Sequence, residues 1–268
     1  VFPSRTRATP ADPLAYYGPP DLFAAADAVH VSVSFTWDIP AAERLAKAWE
    51  RVAPVTVGGP AYGRRGEEFV PGRYLRPGYV ITSRGCPRKC WFCSVWKRDG
   101  TTRELPIADG WDVLDDNLLA CSESHVRAVF AMLARQKRPV QFTGGLEALS
   151  LADWHVGLLA SLKPRPSCFF AYDPGDDYGV LLDAGRRMLA AGFTAASHRL
   201  RCYVLIGYPR DSFDAAEKRL RDVLAAGFTP MAMLWRDERR GAEWSPQREW
   251  RAFQRRWARP AIIHASGS

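Results

Sequence analysis

From Tyr79 onward the chain repeats one pattern: a short apolar run, a turn, then a stretch with apolar residues at helical spacing. The runs are Tyr79-Val80-Ile81-Thr82-Ser83, Trp111-Asp112-Val113-Leu114, Val140-Gln141-Phe142-Thr143, Cys168-Phe169-Phe170-Ala171-Tyr172, Cys202-Tyr203-Val204-Leu205-Ile206 and Thr229-Pro230-Met231-Ala232-Met233-Leu234. Strands separated by helices are joined by crossovers, so they lie parallel in one sheet. Six strands with five connections predict an α/β fold, a partial (β/α)6 TIM-like barrel. The first connection is short, with little room for a full helix between Cys93 and Trp111. A helix is expected near His125–Gln136, with Val126, Val129, Phe130 and Leu133 on one face and Ser124 as its cap. Ser150-Leu151-Ala152-Asp153 reads as a capping box with Asp in the place of Glu.

Upstream, Val29, Val31, Val33 and Phe35 alternate with polar residues, the period of a half-buried strand. Asp38 can cap the next segment, Pro40 suits its first turn, and Leu45, Trp49 and Val52 recur at helical spacing. Val55-Thr56-Val57 before Gly58-Gly59-Pro60 makes a second strand. This is a small Rossmann-like strand–helix–strand appendage, preceded by an extended arm over residues 1–26 with one short helix. The expected division is 1–75 for the appendage and its linker, 76–240 for the barrel and 241–268 for a basic, aromatic C-terminal helix and tail.

One loop stands out chemically: Cys86-Pro87-Arg88-Lys89-Cys90-Trp91-Phe92-Cys93, directly after the first strand of the repeat. Thiolates are the ligands of iron–sulfur clusters, and three on one loop leave one iron of a [4Fe–4S] cubane free for an exogenous chelator. A structural zinc site needs four ligands, usually two short-spaced pairs, and Cys121, Cys168 and Cys202 stand alone. A disulfide framework does not suit a chain of 268 residues with no secretory pattern at its start. Cys168 and Cys202 are expected in the core. Cys121, just after the second strand, is the lone cysteine expected nearest a substrate.

The cysteine spacing, with Phe92 just before the last ligand, resembles the signature of the radical S-adenosylmethionine (SAM) superfamily. The resemblance covers roughly residues 76–240 and implies that Cys86, Cys90 and Cys93 hold the cluster while SAM binds the open iron. It further implies reductive cleavage to a 5′-deoxyadenosyl radical, with an electron donor such as flavodoxin or ferredoxin. Family members bind the SAM amino group after the second strand, often through a Gly-Gly-Glu-like turn. Strand order points to Asp116 and Asn117, whereas Gly144-Gly145-Leu146-Glu147 looks more like that turn but follows the third strand. Either could supply acceptors, and the bland alternative is that Asp115-Asp116-Asn117 caps a helix. By the same resemblance Thr143, Tyr172 and Asp173 face ribose or substrate, and Phe92, Ile206, Gly207 and Tyr208 surround adenine. The SAM carboxylate needs a cation, and His198, Arg199, Arg201 and Arg236 are the candidates.

The appendage resembles the latter half of the cobalamin-binding domain found before many radical SAM barrels, through Asp27-Ala28-Val29 and Val57-Gly58-Gly59. None of the five histidines lies in the Asp-x-His-x-x-Gly loop that supplies that family's cobalt ligand. The expectation is a truncated scaffold, with cobalamin bound without a His ligand as the alternative. Methyl transfer is the most specific activity implied. A radical SAM isomerase, lyase or oxidative bond-former is the first rival, and a zinc-stabilised nucleic-acid-binding domain the second.

Composition narrows the partners. A hydrophobic fraction of 47% and a charged fraction of 25% are those of a globular protein. No apolar run approaches the ~20 residues of a membrane span, and a cytoplasmic location is expected, with no membrane partner. The net charge of +8 rests mainly on arginine, with only six lysines. That suits carboxylate, phosphate or nucleic-acid ligands, so the substrate class (small molecule, peptide or nucleic acid) stays open. Between Trp244 and Arg259, aromatics at helical spacing alternate with arginines. Packing against the open side of the barrel is the first reading and a base-stacking platform the second.

Overall fold

A computed structural model describes residues 1–65, 68–237 and 247–258 of the chain. Strand β1 (Val29–Ser32), helix α1 (Ile39–Trp49) and strand β2 (Val55–Gly58) form the expected unit, with β1 and β2 parallel and Val31 opposite Val57. Ala42, Ala46 and Trp49 bury α1 against Val29, Val31 and Val33 in a core of its own. Asp38 stands at the N-cap position, but its carboxylate accepts from Ser4 Oγ at 2.6 Å, so the expected cap instead ties down the arm. The short helix expected in residues 1–26 does not form. Turns take its place, held by bonds such as Trp49 Nε1 donating to the Gly18 carbonyl at 2.9 Å.

The main sheet has six strands: β3 (Tyr79–Val80), β6 (Asp112–Val113), β7 (Gln141–Leu146), β8 (Ser167–Ala171), β9 (Leu200–Ile206) and β10 (Thr229–Leu234). They are ordered β10-β9-β8-β7-β6-β3, and every neighbouring pair is parallel. This is the α/β sheet that a partial barrel requires. Among the described residues its edges, β3 and β10, do not pair with each other. Helices α3 (Glu123–Ala134), α4 (Asp153–Ser161), α5 (Tyr178–Ala190) and α6 (Phe213–Ala225) share one core with the sheet. Phe142, Cys168, Phe170, Cys202, Val204 and Ile206 belong to that core, each worth roughly 1.5–3 kcal/mol if large and fully buried. Alternation along the strands turns Thr143, Phe169 and Tyr203 to the opposite face, where Phe169 and Tyr203 stack at 5.4 Å.

The first strand is shorter than its apolar run. After Val80 the chain leaves the sheet, and Ser83–Arg84 (β4) pairs antiparallel with Arg103–Glu104 (β5). The intervening connection contains only the four-residue helix α2 (Val95–Arg98), matching the short first connection expected. The third strand is longer than expected, because Gly144 and Gly145 lie within β7 at a register shift between Phe142 and Leu146. A Cβ on Gly144 would sit 2.2 Å from the Asp115 carbonyl oxygen, so only glycine lets β7 pass the turn after β6.

Two caps differ from expectation. Ser122, not Ser124, caps α3, its Oγ accepting from His125 N at 3.3 Å. Ahead of α4 the Ser150 hydroxyl turns to Glu147, and His155 Nδ1 accepts from Ala152 N at 2.9 Å instead. The final helix, α7 (Arg248–Arg256), buries Trp250 and Phe253, Trp257 just past its end is buried too, and Phe213 of α6 lies against Trp250 at 4.4 Å. Those aromatics pack into the core that the main sheet shares with its helices. Trp244, Arg259 and the expected boundary at 240/241 lie outside the described residues.

Candidate metal centre

The cysteine loop lies across the carboxyl ends of four strands, and specific bonds hold it there. At its start Gly85 has φ +86°, and a Cβ there would meet the Thr101 carbonyl oxygen at 2.3 Å. Gly85 N donates to Asp116 Oδ2 at 2.8 Å, fixing the loop to the end of β6. Arg88, between the first two cysteines, reaches Glu147 after β7 at 3.0 Å and Asp176 after β8 at 3.2 Å. Trp91 packs edge-to-face on Tyr208 after β9, with ring centroids 5.6 Å apart. Within the loop Cys93 N donates to the Cys90 carbonyl at 3.1 Å, and Trp96 Nε1 caps that oxygen at 3.0 Å.

Cys86, Cys90 and Cys93 are free and half-buried. Burial pushes the Cys90 and Cys93 thiols up, and for Cys93 the other two sulfurs add to the shift, so the three share one electrostatic neighbourhood. Ligation would release their protons. Among the described residues no group of three or more His, Cys, Asp or Glu side chains converges tightly enough to hold a single metal ion. A cubane makes a different demand, since each thiolate binds a separate iron and the sulfurs stand apart by the width of the cluster. The structure offers such a group three free thiols on one braced loop.

The Asp115-Asp116-Asn117 turn divides its work. Asp115 is buried and accepts from Thr82 N and Oγ1, both at 2.6 Å, and from Ser83 Oγ at 2.7 Å. This trio draws the chain out of the main sheet after Val80. Asp116 braces Gly85, and burial pushes its carboxyl up. Asn117 does not cap α3. Its Nδ2 donates to Glu147 Oε2 at 2.9 Å and lies 3.5 Å from Cys86 Sγ, while its buried Oδ1 has no partner among the described residues. The two rival turns of the sequence thus meet beside the first cysteine.

The other predicted positions separate into two groups. Phe92 is half-buried beside Trp91, at 5.4 Å between rings. Gly207, with φ +69°, donates to Asp211 Oδ2 at 2.8 Å and turns the chain so that Tyr208 faces Trp91 on one side and Arg219 on the other. Asp173 Oδ1 accepts from Leu205 N at 2.8 Å, and burial raises its carboxyl to about 6. These lie with the loop at the strand ends. Ile206, 0% exposed, and Tyr172, beside Tyr178, are instead in the helix-side core, so their side chains do not face a ligand at the loop. Thr143 Oγ1 donates to the buried Asp112 carboxylate, and its carbonyl accepts from Tyr203 OH at 3.3 Å.

Of the candidate cations, Arg199 and His198 flank the start of β9 at the far end, Arg199 donating to the Arg165 carbonyl at 2.7 Å. Arg201 lies over Phe169. Arg236, after β10, lies over Trp37 at 3.8 Å. Arg88 was not anticipated. Its one sequence signal is a long cation inside the cysteine spacing, and nothing local says which carboxylates it meets. Cys168 and Cys202 are wholly buried, and burial pushes the half-buried Cys121 thiol up to about 11.

The site and sheet together define a class of fold: a parallel α/β sheet with a three-cysteine loop braced over its carboxyl ends. No family model matches the sequence, and no curated protein matches it. Among solved structures the chain is similar to the radical S-adenosylmethionine methyltransferase TsrM from Kitasatospora setae, whose structure has cobalamin and a [4Fe-4S] cluster bound. The TM-score is 0.58 at 11% identity, covering 79% of this chain and 64% of that one. At that identity the likeness is one of fold. No described helix is long and apolar enough to cross a membrane.

Proposed function

We propose that the chain is a radical SAM enzyme whose Cys86, Cys90 and Cys93 hold a [4Fe–4S] cluster. The observation that carries this is the cysteine loop itself: three free thiols, pinned by Gly85, Arg88 and Trp91 to the ends of four parallel strands. When bound, such a cluster supplies the electron that cleaves the sulfonium of SAM to a 5′-deoxyadenosyl radical. The partnerless Asn117 Oδ1 and the Glu147 carboxylate offer acceptors to an ammonium group beside Cys86. Phe92, Trp91 and Tyr208 form an aromatic wall suited to a purine. Asp116 positions the loop by accepting from Gly85 N.

Methyl transfer is the finer reading, favoured by the fold of the methyltransferase neighbour and by the parallel β1–β2 unit ahead of the sheet. The one imidazole of that unit among the described residues is His30. His30 is inside β1 with Nδ1 at 3.2 Å from Tyr74 OH, His125 and His155 are in helices, and His198 is at the far end of β9.

Anaerobic reconstitution tests the class. The expected result is a brown protein with about four irons per chain that forms 5′-deoxyadenosine from SAM and loses this ability in Cys90→Ala. A colourless protein holding zinc would overturn it. S-adenosylhomocysteine together with a methylated product marks methyl transfer, and 5′-deoxyadenosine without a methylated product marks the isomerase, lyase or bond-forming rivals.

A further inference from the structure

The end of the main sheet away from the cysteine loop carries a charge pattern that the proposed chemistry leaves unused. Parallel strands all start at one end, and the starts of β7, β8 and β9 are neighbours there. Ser167 N donates to the Val140 carbonyl at 2.9 Å, and Cys168 N to the Arg199 carbonyl at 2.7 Å. The loops leading into these strands are residues 136–140, 162–166 and 191–199. They bring Lys137, Arg138, Lys163, Arg165 and Arg199 together and contain no Asp or Glu. Asp109, in the loop before β6, stands 3.9 Å from Arg135. Part of the charge has a structural use, since a cation suits the negative end of a helix dipole. Arg135 donates to the Ala131 carbonyl of α3 at 3.1 Å, and Arg165 to the Ala160 carbonyl of α4 at 3.5 Å. Arg199 donates to the Arg165 carbonyl at 2.7 Å. These acceptors are neutral, so the positive charge remains. Lys137, Arg138 and Lys163 are exposed and make no such bond among the described residues.

The large apolar side chains of the three loops, Val140, Leu162 and Phe193, are buried. A rim of cations without an exposed apolar or aromatic anchor has nothing to sink into a bilayer, stack on a base or fill a partner protein's pocket. What it matches is a row of phosphates. Adjacent strands lie about 4.8 Å apart, so the three starts span about 10 Å, over which a duplex presents about six phosphate charges. We propose that this rim binds the phosphate backbone of a nucleic-acid duplex, at a surface separate from the cysteine loop and independent of what that loop holds. Phosphate contacts orient a protein on the duplex without reading its bases, so the binding is sequence-independent and strongly salt-dependent.

The test titrates the full chain against labelled RNA and DNA duplexes of about 20 base pairs, read by fluorescence anisotropy between about 50 and 300 mM salt. Either duplex should bind, with affinity falling steeply as salt rises. Lys137→Gln/Arg138→Gln/Lys163→Gln should weaken binding by about tenfold or more and flatten the log–log salt slope by about 2–3. Lys137→Arg/Arg138→Lys/Lys163→Arg should bind as wild type. Arg44→Gln/Lys47→Gln/Arg51→Gln removes the same charge from exposed positions on and just past α1, and should also bind as wild type. Equal weakening by the two glutamine triples would make binding a matter of net charge and overturn the rim. No anisotropy change with either duplex at about 50 mM salt overturns it as well. So does binding to phosphatidylserine–phosphatidylcholine vesicles, in place of duplex, with the same dependence on the three loop cations.

Discussion

At Asp115 a carboxylate removed from water accepts three hydrogen bonds from Thr82 and Ser83 and so sets where the chain leaves the sheet for the cysteine loop. Asp115→Ala would strand those donors in the interior. It should lower unfolding free energy by about 3–5 kcal/mol, against about 1–2 for Asp115→Asn, as read from denaturant midpoints. Asp173 offers a pH-dependent test. Its folded carboxyl is raised to about 6 from 3.8, chiefly by burial and further by Asp176. The folded state therefore holds the proton more tightly than the unfolded chain, and the associated stability is full below pH 3.8 and lost as pH rises through about 6. Asp173→Asn keeps an oxygen for Leu205 N and removes the charge. It should be more stable than wild type by about 1–3 kcal/mol at pH 7, with the gap closing by pH 4. A gap that widened on acidification would contradict the sign. Cys86, Cys90 and Cys93 could be picked out from spacing alone, whereas Arg88 could not, because both its partners come from distant strand ends.

The central elements follow from local pattern, since each strand of the main sheet is an apolar run bounded by turn residues. What local pattern misses is where neighbours compete for the chain. Thr82 and Ser83 read as strand, yet Asp115 takes their donors and β3 stops at Val80. Ser150 reads as a helix cap, yet Glu147 holds its hydroxyl. Gly144-Gly145 reads as a turn closing the third strand, yet β7 runs through both to Leu146. The two glycines have different reasons to be there, and substitution should separate them. At Gly144 an added Cβ meets the backbone of Leu114 and Asp115 at 2.2–2.7 Å, which cannot yield as a side chain would. Gly145 has open space but φ +109°. Gly144→Ala should cost about 3 kcal/mol or more, while Gly145→Ala should cost roughly 1–2 kcal/mol of backbone strain. Denaturant unfolding of both variants would reveal whether the order is reversed.

On the scale of the whole molecule, two cores have to act as one object, one under α1 and one under the six-stranded sheet. Their link runs between the residues that follow β1 and β10. Phe35 and Trp37 stack at 4.6 Å, and the Arg236 guanidinium sits over Trp37 at 3.8 Å. A second tie is Arg76 N donating to the Ala8 carbonyl at 2.8 Å. Cation–π pairs of this kind contribute about 0.5–1 kcal/mol when partly exposed. Single truncations do not isolate that value, because Arg236 also interacts with other groups and Trp37 packs on Phe35. A double-mutant cycle does, since the losses peculiar to each residue cancel. Trp37→Ala and Arg236→Ala should each destabilise, and the double variant should recover about 0.5–1 kcal/mol relative to their sum. Additive losses would mean that the stack does not couple the two cores, and the appendage would then be expected to unfold in a separate, earlier transition.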